Sequence, residues 1–273
     1  TGAVKPADTY EAVNYTLRRV NEHSFFMSPA EVARWSGNDE AESDSDSTVS
    51  SIEFTQGHRI DEHIAYLTMP AVNSGNHAAM VRFADSLHHL IQRLDTKETT
   101  AWIVDLRQNM GGNCWPMLTG VGPVLGEGVC GYFMDRDGRN ASPWNYEAGV
   151  SYEGGDTVMQ VSGLPYELHH ADPQIAVLTG PSTASSGEVV TVAFRAQPST
   201  RSFGQPTAGY STANTNIMMP DGGMLLLTIS IYGDRDKNPY GAEVIPDVVV
   251  EGVTTETVDP TLEAALQWLR GGE

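Results

Sequence analysis

Lysine is nearly missing from this chain: only Lys5, Lys97 and Lys237 occur in 273 residues. Positive charge as a whole is scarce, with 16 Lys plus Arg against 35 Asp plus Glu and a formal net charge of −19. Such a surface repels phosphate backbones, and no basic patch offsets it, so no nucleic-acid partner is expected. Acidity of this kind serves solubility or life in salt. No apolar run approaches the ~18 residues of a membrane-spanning helix, so no membrane span is expected either. Cysteine is limited to Cys114 and Cys130, neither in a metal-type pair. They form either a disulfide or two buried thiols. Metal ligands are equally thin. His77, His88 and His89 lack the i, i+4 spacing and the cysteine partners of a metal site, so no metal and no cofactor are expected.

What is present is ample apolar material, 40% of the residues, enough for a sizeable core. The segment Asn38 to Ser51 departs in composition, being acidic and Ser-rich, and reads as an exposed loop. It divides the chain into an N-terminal helical segment, residues 1–50, and a catalytic domain, residues 51–273. Before the loop, apolar spacing predicts a helix over Ala7 to Val20 and a second one over Pro29 to Trp35. After it, strands are expected at Ile64 to Met69, Ala101 to Leu106, Gln174 to Thr179, Leu225 to Ile231 and Val248 to Val250. Helices are expected at His77 to Leu94, Trp115 to Leu125, Ser185 to Gln197 and Asp259 to Leu269. Alternation of this sort argues for a largely parallel α/β sheet.

Two junctions could carry chemistry. At Leu106 to Asn113 a buried strand runs into Gly111 and Gly112, which let the backbone turn sharply and present bare N–H groups. At Thr179 to Glu188 another strand passes through small residues into a helix that starts near Ser185. A hydroxyl there sits at the positive end of the helix dipole, beside free amides able to bind an oxyanion. The same placement suits a plain helix cap, and spacing alone leaves the two readings open.

Three segments taken together, LRQNMGG (Leu106–Gly112), GPSTASSGE (Gly180–Glu188) and FGQPTAG (Phe203–Gly209), resemble the signature of the C-terminal processing (tail-specific) peptidase clan. The resemblance implies a ClpP/crotonase-like spiral of ββα units with Ser185 as nucleophile. It implies an oxyanion hole from the Ser186 amide and an amide of Gly111 or Gly112, and places Asn109 and Tyr210 beside the substrate. The better-known branch draws its base from a lysine after the last glycine of the third segment, where this chain has Tyr210. The tricorn-core-like branch instead uses an early histidine and a late glutamate. By that likeness His23 is the base and Glu243 its orienting carboxylate, with Ser24 a possible helper. The usual PDZ domain has no room in the short acidic interval.

The expected activity is therefore serine-peptidase hydrolysis of peptides or unfolded protein. Family members are often exported, which points to an extracytoplasmic (periplasmic or secreted) location. Two rivals stand beside it: a non-catalytic carrier of hydrophobic ligands or peptides on the same scaffold, and an esterase or amidase with the same Ser–His chemistry.

Overall fold

The computed structural model describes residues 5–36, 55–252, 254–255 and 257–271. The acidic segment Asn38 to Ser51 lies outside them. A 3-10 turn at Pro6–Thr9 leads into α1 (Tyr10–Val20), β1 (Phe25–Met27) and α2 (Pro29–Ser36). There follow β2 (Gln56–Arg59), β3 (Ile64–Thr68), α3 (His77–Leu94), β4 (Ala101–Asp105) and α4 (Cys114–Leu125). A run of strands comes next: β5 (Gly128–Met134), β6 (Ser142–Glu147), β7 (Val150–Glu153), β8 (Asp156–Gln160) and β9 (Gln174–Thr179). The chain closes with α5 (Ser186–Ala193), β10 (Thr200–Gly204), β11 (Thr212–Met218), β12 (Met224–Gly233), β13 (Val248–Val249) and α6 (Pro260–Leu269).

The expected parallel sheet is one of two. Six strands in the order β13-β10-β9-β4-β3-β2 form it, parallel except where β2 meets β3. Its strands read as unbroken apolar runs because both faces are covered. Trp102, Val104, Ile175 and Val177 point into the large core with α3, α4 and α5, whereas Ile103, Ala176 and Leu178 meet α6 on the opposite face. Each of the Val, Ile and Leu side chains contributes about 1.5–3 kcal/mol of burial. Among α3 residues, Phe83, Leu87 and Ile91 are fully buried on one stripe.

The second sheet was not expected. Seven antiparallel strands run β1-β12-β5-β6-β7-β8, with β11 paired to β12. Strand β1 joins the N-terminal segment to this sheet, pairing Phe25 with Leu226. Helix α4 forms in spite of Gly120 and Gly122 because both are needed for close packing. A Cβ on Gly120 would meet Leu87 at 2.9 Å, and one on Gly122 would meet the Tyr146 ring at 2.0 Å. Helix α5 is shorter than expected, since Ala196 at φ 58° breaks it early. Both cysteines are free and buried, which decides the open choice in favour of thiols. Burial raises Cys114 to about 12 and Cys130 to about 11. Among the described residues no helix is long and apolar enough to cross a membrane.

Candidate active site

The C-terminal ends of the central parallel strands are where α/β sheets commonly place ligands. Here β9 runs through Gly180–Ala184 into Ser185, which sits at φ 50°, ψ −113° at the mouth of α5. For a residue with a Cβ this conformation costs on the order of 1–3 kcal/mol and persists only when its surroundings impose it. The surroundings here are specific. Ser185 N–H donates to Glu188 at 2.7 Å, and the same fully buried carboxylate accepts from Thr207 at 2.5 Å and Gly209 N–H at 3.0 Å. Burial raises the Glu188 pKa, and these hydrogen bonds oppose the rise.

The glycine turn after β4 is latched to this elbow at three points. Ala184 N–H donates to the Asn109 carbonyl at 2.9 Å, Thr183 Oγ1 to Leu106 O at 2.8 Å, and Ser186 Oγ to Gly112 O at 2.7 Å. Gly111, at φ 105°, packs so tightly that a Cβ would lie 2.9 Å from the Ser185 Cβ. Its amide already donates to Asn109 Oδ1 at 2.9 Å. Among the described residues, the Gly112 and Ser186 amides donate to no protein acceptor. Of the two glycines, Gly112 is thus the one with an N–H to offer. The Ser186 hydroxyl is engaged with the turn, which leaves Ser185 as the hydroxyl of the pair that lines the cleft without a hydrogen bond to the turn.

That cleft has a volume of about 1070 Å³ and is lined by His23, Gly112, Ser185, Ser186, Thr212 and Tyr232 among others. His23 lies in the turn between α1 and β1. A polar cluster fastens that turn to the β11–β12 hairpin. His23 N–H donates to Asn21 Oδ1 at 2.8 Å, Asn214 Nδ2 donates to His23 O at 2.9 Å, and Thr228 N–H donates to Ser24 Oγ at 3.0 Å. The imidazole Nδ1 lies 2.7 Å from Thr212 Oγ1. With the Nδ1 proton donated there, Nε2 carries the lone pair. Burial lowers the His23 pKa to about 4, so the ring is neutral near pH 7.

Several expected residues take other positions. Asn109 is fully buried and makes no cleft wall. Its Nδ2 donates to Pro70 O at 3.2 Å and its Oδ1 holds the glycine turn, so it is an internal latch and not a substrate contact. Tyr210 packs tilted against the imidazole, with 5.1 Å between centroids, and does not line the cleft. Glu243 is exposed, makes no hydrogen bond among the described residues and lies against Gly209. The partner of the imidazole is Thr212. Ser24 is buried and engaged with Thr228, 3.1 Å away.

Other residues escaped the sequence reading. Glu188 was signalled by the Ser-x-x-Glu pattern of a capping box. Thr212 and Tyr232 had no local signal, because the hairpin register brings them in. Tyr232 is buried against Phe133, and burial drives its phenol far above its usual pKa while contact with the Ser185 side chain pulls it down.

Residues 63–250 match Peptidase family S41. The chain belongs to that family of serine peptidases. Over 201 residues it is 27% identical to the nisin-resistance protein of Lactococcus lactis subsp. lactis, a match covering 73% of this chain and 60% of that protein's length. The fold is similar to that of a lipoprotein from Streptococcus agalactiae, with TM-score 0.75, 23% identity, and coverage of 100% of this chain and 84% of that one. It is also similar to the photosystem II D1 C-terminal processing protease, with TM-score 0.50, 17% identity, and coverage of 81% and 54%.

Proposed function

We propose that the protein hydrolyses peptide bonds through an acyl-enzyme on Ser185, with His23 as general base. The observation that carries this reading is the pairing of a strained Ser185 elbow with a neutral imidazole in one cleft, its Nδ1 held by Thr212. Ser185 Oγ attacks the scissile carbonyl as its proton passes to His23 Nε2. The carbonyl oxygen becomes an oxyanion facing the Ser186 and Gly112 amides, at the positive end of α5. The imidazolium then protonates the leaving amine, and a serine ester remains. Water attacks that ester with His23 again taking a proton, releasing the acid and restoring the serine. Thr212 performs the orienting role that the sequence suggested for Glu243. A hydroxyl partner leaves the imidazolium without a countercharge, which agrees with the depressed pKa.

The test is cleavage of a panel of fluorogenic peptides by the wild type, Ser185→Ala and His23→Gln. Hydrolysis lost in both variants supports the mechanism, and unchanged cleavage by Ser185→Ala removes it. The likeness to a nisin-resistance protein makes nisin a first substrate to try. A similar structure described as a lipoprotein supports an extracytoplasmic location.

The second reading is a peptide or hydrophobic-ligand carrier. It is favoured by the lack of a hydrogen bond between Ser185 and His23 and by Tyr210 where a lysine base would stand. Binding of the same peptides without turnover would support it.

A further inference from the structure

Among the described residues, three carboxylates, Glu31, Asp135 and Glu153, line the cleft, and neither lysine nor arginine does. Two of the three are engaged. Glu31 accepts from the Ser28 amide and hydroxyl, both at 2.7 Å. Asp135 accepts from the backbone N–H groups of Asp137 and Arg139 at 3.1 and 2.8 Å, and from Asn140 Nδ2 at 2.7 Å. Glu153 is different. It stands at the end of β7, its backbone paired with Trp144 and Asp156, and among the described residues its carboxylate has no hydrogen-bond donor and no cation.

It lines the same cleft as Ser185, Ser186 and Cys114, the first residue of α4. The Glu153 carboxylate acts electrostatically on the Cys114 thiol, which in turn contacts the Ser186 side chain. Gly112 and Ser186 line that cleft together with Glu153. A half-buried carboxylate without a donor is costly unless something else pairs with it, and here burial raises its pKa. Trp115 and Phe133 line the same cleft and would take the methylene stem of a long cationic side chain.

We propose that Glu153 is a specificity-determining residue that selects a peptide carrying a lysine or arginine side chain close to the scissile bond. The inference rests on peptide hydrolysis at Ser185 and names the substrate class of that site. The Trp115 and Phe133 rings hold the aliphatic stem while Glu153 receives the ammonium or guanidinium group.

The experiment compares kcat/KM for hexapeptide sets that differ only by lysine, norleucine or glutamate at each successive position. The wild type, Glu153→Gln and Glu153→Lys are measured at low ionic strength. At one position the wild type is expected to favour lysine by about tenfold, as befits one charge-assisted hydrogen bond. The preference should vanish in Glu153→Gln, and Glu153→Lys should favour glutamate there instead. The ratio within each variant is the readout, so a general loss of activity does not disturb it. A lysine preference unchanged in Glu153→Gln overturns the proposal, as does a wild type that cleaves the lysine and norleucine peptides equally at every position. Should nothing be cleaved, the same sets carrying a fluorescein label are titrated against wild type and Glu153→Gln by anisotropy. Lysine-selective binding lost in Glu153→Gln then keeps the Glu153 subsite while hydrolysis fails, and binding indifferent to charge overturns the subsite as well.

Discussion

His23 Nδ1 and Thr212 Oγ1 lie 2.7 Å apart although 189 positions separate the two residues in the chain. With Thr212 Oγ1 accepting from Nδ1–H, Nε2 is left free to take a proton. Thr212→Val keeps the shape and removes the acceptor. Its kcat should fall by about 10- to 100-fold with KM little changed, and Thr212→Ser should recover most of the loss. Steady-state kinetics on one fluorogenic peptide checks this.

The depressed pKa of His23 makes two claims about pH. For activity, the acid limb of kcat/KM should fall near pH 4, below the ordinary histidine value of 6.5. A limb centred at 6.5 would contradict it. For stability, the unfolded chain protonates His23 below pH 6.5 whereas the folded chain does so only near 4. The unfolded state therefore binds more protons in that window, so this group's stabilisation is complete above 6.5 and is lost as pH drops towards 4. Thermal melts at several pH values should show wild type losing more of its Tm between neutrality and pH 4.5 than His23→Gln does.

Asn109 joins three segments from within the core, bonding Gly111 N–H, Pro70 O and, through its own carbonyl, Ala184 N–H. Asn109→Leu leaves the buried Gly111 amide and the half-buried Pro70 carbonyl without their Asn109 partner. A loss of about 2–3 kcal/mol is expected, measured by urea unfolding. Activity should fall further than stability, because the Gly112 amide is aimed by the same turn.

Gly112 sits at φ 102°, and a Cβ there would lie 2.3 Å from the Val72 carbonyl oxygen. Gly112→Ala must move the turn away from the elbow. A drop of about 100- to 1000-fold in kcat is expected, the size seen when one oxyanion donor is lost. Fluorogenic peptide kinetics beside a circular-dichroism melt would separate this from unfolding.

The parallel sheet was legible because its strands carry local signals. Gln174–Thr179 and the α3 stripe over His77–Leu94 fall at the expected positions. The antiparallel sheet was not legible. Its strands β5 to β8 are half-exposed, carry Gly131 and Pro143, and shift register at Val129/Gly131 and Ser151/Tyr152, which breaks the period-two pattern. The same division runs through the site. Ser185, Ser186 and Gly112 belong to short strand-to-loop motifs that a sequence displays. Thr212, Tyr232 and Glu153 reach the cleft through strand registers, which a sequence does not. Glu243 looked like an orienting carboxylate by its place in the chain, yet the hairpin supplies a hydroxyl there instead.

The most direct measurement is intact-mass and peptide mapping after treatment with a fluorophosphonate, which phosphonylates only an activated serine. A single adduct on the peptide containing Ser185, absent from Ser185→Ala and formed far more slowly by His23→Gln, is the predicted result. An unmodified protein that nevertheless binds peptide, or an adduct that persists in Ser185→Ala, would contradict the assignment of Ser185 as the nucleophile.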